Sequence, residues 1–150
     1  MTDDTIIEMT RVYDAPCARV WEALTEPRHV TRWWGGAGCE NPVCEMDVRP
    51  GGRWYHVMVF PGGQRLEMNF EFVTVEPPHK LVWKDLRRPS EDMPPSPRIT
   101  VTLEDLGNRT RWRMVAEFPT PAARAAAAAM GFTGPISASN ERLVAYLPTM

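Results

Sequence analysis

The chain has 150 residues, 43% of them hydrophobic and 24% charged, with a net charge of −2. That length suits one domain with a single core, and those fractions suit an ordinary globular protein. Mixed charges give no footprint for nucleic acid or an anionic membrane, and no apolar run approaches the roughly 18–20 residues that span a bilayer.

The first strand is expected over residues 6–13, closed by Asp14-Ala15-Pro16. Pro16 suits the first turn of a helix, where its missing N–H costs nothing. Cys17, Val20, Trp21 and Leu24 then fall on one helical face. A second short helix starts with Thr25 as a candidate cap and Pro27 in its first turn; Val30, Trp33 and Trp34 form its apolar edge, and Gly35-Gly36 stops it.

Strands follow. Residues 43–48 make a short one that ends in Arg49-Pro50-Gly51-Gly52, with Pro and Gly in the type II order. From Arg53 the alternation puts Trp54, His56, Met58 and Phe60 on one face. After Pro61-Gly62-Gly63, Leu66, Met68, Phe70 and Phe72 alternate with polar residues, and the phase slips at Phe72-Val73. A β-bulge there would help curve the sheet. Residues 80–86 form a strand with Leu81 and Trp83 on one face, and the proline-rich stretch 87–97 reads as an exposed loop. A hairpin follows: Ile99, Val101 and Leu103 on one strand, Trp112, Met114, Ala116 and Phe118 on the next. Pro119 and Pro121 open a helical region with an alanine run at 125–129, a break at residues 131–135, and an amphipathic helix over 136–147. Strands followed by a long helix predict an α+β domain spanning residues 1–150, with that helix on one face of a curved antiparallel sheet.

These residues resemble the START-like helix-grip (SRPBCC) superfamily, in the branch of homologues of the activator of the ninety-kilodalton heat-shock protein's ATPase. The carrying residues run in order along nearly the whole chain. They are Arg11-Val12-Tyr13-Asp14-Ala15-Pro16, Val20-Trp21-Glu22-Ala23-Leu24-Thr25, Pro27 and Trp33-Trp34-Gly35. Next come the stretch from Asp47 to Trp54, then Pro61-Gly62-Gly63, Val75-Glu76-Pro77-Pro78 with Leu81-Val82, and Glu141-Arg142-Leu143 with Tyr146-Leu147. The resemblance implies a cavity between sheet and final helix where relatives bind lipids, polyketides and other apolar molecules; some relatives catalyse cyclisation or hydrolysis. The co-chaperone role belongs to larger relatives with an extra N-terminal domain and carries over weakly. One departure stands out. Relatives open the final helix with Gly-Trp and keep its stripe apolar, whereas this chain has Pro135-Ile136 and places Asn140 between Ile136, Leu143 and Leu147.

The expected ligand lining is Trp34, Trp54, His56, Met58, Met68, Phe70, Trp83, Trp112, Met114 and Asn140, facing a small apolar or amphipathic molecule. Each has a plainer reading. Trp34 could gate a pocket or anchor its helix, and the aromatic stripe could be core. His56, alone on an apolar strand face, is the candidate acid–base residue of a small cyclase or hydrolase, or a hydrogen-bonded core histidine. Asn140 needs a partner if buried, or faces solvent on a rotated helix. His29 and His79 flank turns and read as exposed. No two histidines have ligand spacing, and Cys39 and Cys44 lack matching partners, so neither metal nor cofactor is expected. The odd count of three cysteines and the acidic, polar N-terminus suggest reduced thiols in a cytoplasmic protein. An open sheet edge would allow a homodimer.

Overall fold

The computed structural model describes residues 4–87 and 95–150, so part of the proline-rich loop lies outside the described residues. Seven strands form one antiparallel sheet in the order β1-β7-β6-β5-β4-β3-β2. The strands are β1 (Ile6–Tyr13), β2 (Glu40–Met46), β3 (Arg53–Val59), β4 (Arg65–Glu76), β5 (Lys80–Asp85), β6 (Arg98–Asp105) and β7 (Thr110–Glu117). Helices α1 (Cys17–Thr25) and α2 (Pro27–Trp33) link β1 to β2, while α3 (Pro121–Ala129) and α4 (Thr133–Tyr146) close the chain. This is the α+β, helix-grip arrangement that the strand and helix patterns predict.

The register fixes which side chains share the inner face, because residues paired across antiparallel strands point the same way. Trp54 pairs with Phe70 and His56 with Met68. Phe72 pairs with Trp83, and Trp83 in turn with Ile99. Val101 pairs with Met114 and Leu103 with Trp112. On the far side Met114 faces Met9 and Thr110 faces Tyr13. The expected inward stripe is therefore one continuous face. The phase slip is real: register shifts between Phe72 and Thr74, so Val73 is the extra residue and Val75 returns to the inner side opposite Leu81.

Gly51 sits at φ 81° in the turn before β3, as a type II turn requires of its third residue. A Cβ on Gly52 would lie 1.9 Å from the Asp47 carbonyl oxygen, so the following position needs glycine as well.

Four local expectations change. β2 begins at Glu40, three residues early, because Pro42 is accommodated on an edge strand at a register shift between Glu40 and Val43. Thr25 does not cap α2; its hydroxyl donates to the Trp21 carbonyl within α1, and Glu26 takes the cap position. The break before the last helix is short, with Gly131 at φ 80° and α4 starting at Thr133. Pro135 falls in the first turn, where it removes no helical hydrogen bond. Lastly, His29 is buried at 9% exposure, held where α2 packs on α4, whereas His79 is exposed as expected.

Candidate functional site

The inner face has two halves of different character. At the β3–β5 end, aromatic rings fill the space. Trp54 is the hub: its ring lies 4.8 Å from Phe70, 5.8 Å from a stacked Phe72 and 5.4 Å from Trp83, centroid to centroid. Trp34 joins edge-on at 5.1 Å from Trp54 and also lies 5.1 Å from His56. Trp33 turns the other way and donates its indole N–H to the Ala23 carbonyl, fastening α2 to α1. The tryptophan pair thus anchors α2 on both sides.

His56 is fully buried and has a partner on each ring nitrogen. The Trp54 indole N–H donates to Nδ1 at 3.2 Å, and Nε2 lies 2.8 Å from Asn41 Oδ1. An indole can only donate, so Nδ1 is the acceptor and Nε2 carries the proton that goes to Asn41. Asn41 spends its own N–H groups on the carbonyls of Thr31 and Trp34 at the end of α2. Burial pushes the His56 pKa down to about 4, which keeps the ring neutral. This closed chain makes His56 a strut between β3, β2 and α2, with no ring nitrogen left over for proton transfer to a substrate. Asn41 was not anticipated; its signal was only an Asn-Pro pair beside a glycine-rich helix end.

The β1–β7 end differs. Tyr13 is 1% exposed and packs edge-on against Trp112, yet its hydroxyl has no hydrogen-bond partner. Burial drives its pKa upward, so the group is a neutral phenol. On α4, Asn140 and Leu143 are buried, as is Leu147 just past its end, so the helix is not rotated and Asn140, 5% exposed, belongs to its inward stripe. A hollow of about 210 Å³ opens beside Tyr13, lined also by Arg11, Asp14, Arg109, Val144 and Leu147. Met114 and Trp112 are buried along this half, and Met9 packs against it.

Of the expected lining, Trp34, Trp54, His56, Met58, Met68, Phe70 and Trp83 gather at the ring-filled end. Met58 is buried there and Met68 half-buried. Trp112 and Met114 belong to the other half, which Tyr13 joins unannounced, and Asn140 is buried on α4. A tyrosine ending a strand gave no sign in the sequence that its hydroxyl would be left alone.

Two side chains of α4 clamp it to α2. Ser139 Oγ accepts from the Gly35 N–H at 2.8 Å. Arg142 donates to the carbonyls of Trp34 and Gly36 at 3.0 Å each and to that of Arg32 at 3.0 Å. These carbonyls end α2; that of Trp34 also accepts from Asn41 and that of Gly36 from the Cys39 N–H, so Arg142 completes a shared joint. Cys17, Cys39 and Cys44 are free thiols, and burial pushes Cys44 up to about 11. No helix of the described residues is long and apolar enough to cross a membrane.

Residues 14–148 match the family described as activator of Hsp90 ATPase homolog 1-like protein. Among solved structures, a Nitrosomonas europaea protein is 25% identical, with TM-score 0.86 over 99% of this chain and 97% of its own. An Arthrobacter aurescens protein is 26% identical, with TM-score 0.86 over 100% and 91%. A structure titled as an AHSA1-like protein from Aeromonas hydrophila, at 18% identity and TM-score 0.69 over 93% of each chain, shares the fold. No curated protein matches the chain.

Proposed function

From the premise that this chain belongs to the activator of Hsp90 ATPase homolog 1-like family, we propose that it binds a small amphipathic molecule between the sheet and α4. The site lies at the β1–β7 end. The molecule's apolar part rests against Val144 and Leu147, and its polar part meets Tyr13. The observation that carries the reading is the Tyr13 hydroxyl, buried with no protein partner. An unpaired buried group costs about 1–3 kcal/mol. A core residue kept for packing alone would do better as Phe, so an occupant with a hydrogen-bonding group accounts for it. The hollow beside Tyr13 offers an entry. Its rim carries Arg109 and Asp14 beside Arg11, which is ion-paired with Glu141.

Native mass spectrometry of protein purified from its own host tests the reading, with the Tyr13→Phe variant beside it. We expect a bound mass on the wild type that the variant loses. The variant should melt at or above the wild-type temperature, because an unpaired polar group is gone. A wild type without bound mass, or equal retention by both proteins, overturns the proposal.

A further inference from the structure

At the α1–α2 junction, three donor side chains converge. One carboxylate oxygen each of Glu22 and Glu26 and one ring nitrogen of His29 all lie within 4.8 Å of one another. Glu22 comes from the end of α1, Glu26 from the extended link between the helices and His29 from the first turn of α2. His29 is the telling member. It is 9% exposed, and its Nε2 is buried with no hydrogen-bond partner. The nearest charged group is Glu22 Oε1 at 3.6 Å, too long for a hydrogen bond. Its other nitrogen, Nδ1, lies 2.6 Å from the Tyr146 hydroxyl. In the tautomer whose Nδ1–H donates to Tyr146, Nε2 offers its lone pair to a cation shared with the two carboxylates.

We propose that Glu22, Glu26 and His29 form a binding site for a divalent transition-metal ion, with zinc as its simplest occupant. Two ligands held about 2.1 Å from a tetrahedral zinc stand about 3.4 Å apart, close to the spacing of His29 Nε2 and Glu22 Oε1. Glu26 is exposed enough to complete the set by a change of rotamer. The imidazole selects against calcium and magnesium, which take oxygen ligands. Tyr146 orients the histidine as outer partners of metal-bound imidazoles do, and the Arg32 guanidinium sits 5.9 Å above its ring. One cation already visits the carboxylates: Arg28 lies 3.1 Å from both Glu22 and Glu26. Those are exposed bridges of small worth, and a dication displaces them.

Calorimetric titration with zinc chloride alone tests the site, alongside nitrogen NMR of the histidine ring. We expect one equivalent to bind to the wild type and to shift the His29 Nε2 resonance. His29→Gln and Glu22→Gln should abolish that step, while His79→Gln leaves it intact. Tyr146→Phe should weaken it about tenfold through lost orientation. Arg28→Ala should tighten it by removing the competing cation, a change that a merely structural ion-pair cluster would not produce. Arg28 is a surface residue, so Arg28→Ala reads out the site even if His29→Gln folds poorly. Absence of one-equivalent binding, binding unaffected by Glu22→Gln, or weaker binding in Arg28→Ala overturns the proposal.

Discussion

His56 shows how a titratable residue can be spent on architecture. Its folded pKa of about 4 lies below the ordinary value of 6.5. Between those values the unfolded chain binds a proton that the folded chain does not, so stability rises with pH through this window. From pH 7 down to pH 4 the loss from this residue approaches about 3 kcal/mol at 1.36 kcal/mol per unit. Denaturant midpoints measured from pH 7 to 4 should fall accordingly, and His56→Gln should flatten the slope while lowering stability at pH 7. The inward direction of His56 was legible, since strand alternation alone sets it. Its two partners were not: Trp54 is two residues away on the same face, but Asn41 arrives through a bulge that no periodicity reports. His29 was misjudged for a related reason. A histidine beside a turn is usually exposed, and only the docking of α4 covers this one.

Arg142 turns α4 from a helix resting on a sheet into one fastened at a chosen place. Its guanidinium reaches carbonyls of Arg32, Trp34 and Gly36 at once. Arg142→Ala should cost about 2–4 kcal/mol, since several bonds from a charged donor are lost and the carbonyls left behind are partly buried. Arg142→Lys should recover little of it, because an ammonium cannot span that fan of acceptors. Urea unfolding of the three proteins measures both effects. Gly35 belongs to the same joint. It adopts φ 82°, and a Cβ there would meet Met58 Sδ at 2.5 Å. At this scale the sequence was informative about which elements exist, because β3, β4, β6 and β7 alternate cleanly and α1 and α2 carry their own stop signals. It was less so about where α4 starts, since a proline in a first turn and a proline at a break look alike until the backbone is seen.

The molecule divides across its length into a rigid half and a half with a loose polar end. Trp34, Trp54, Phe70, Phe72 and Trp83 lock the β3–β5 end, whereas Tyr13 leaves an unmet hydrogen bond at the end of β1. α3 stands apart from both. Only Ala123 and Ala127 are buried along its nine residues, so little apolar area holds it down. Amide exchange should therefore reach α3 well before β4–β7, and slow protection equal to that of the sheet would contradict this picture of its packing. The family resemblance anticipated the fold from an ordered set of short runs, but the division of the inner face depends on side chains that meet across the whole sheet. No single run holds that information.

Trp33, Trp34, Trp54 and Trp83 form a relay of indoles with centroids 5.7, 5.1 and 5.4 Å apart in succession. Chromophores this close share their excited states. The near-ultraviolet circular dichroism of this protein should thus be dominated by one coupled set that spans α2, β3 and β5. Light absorbed there reports whether the helix end still sits against the sheet, without any added dye.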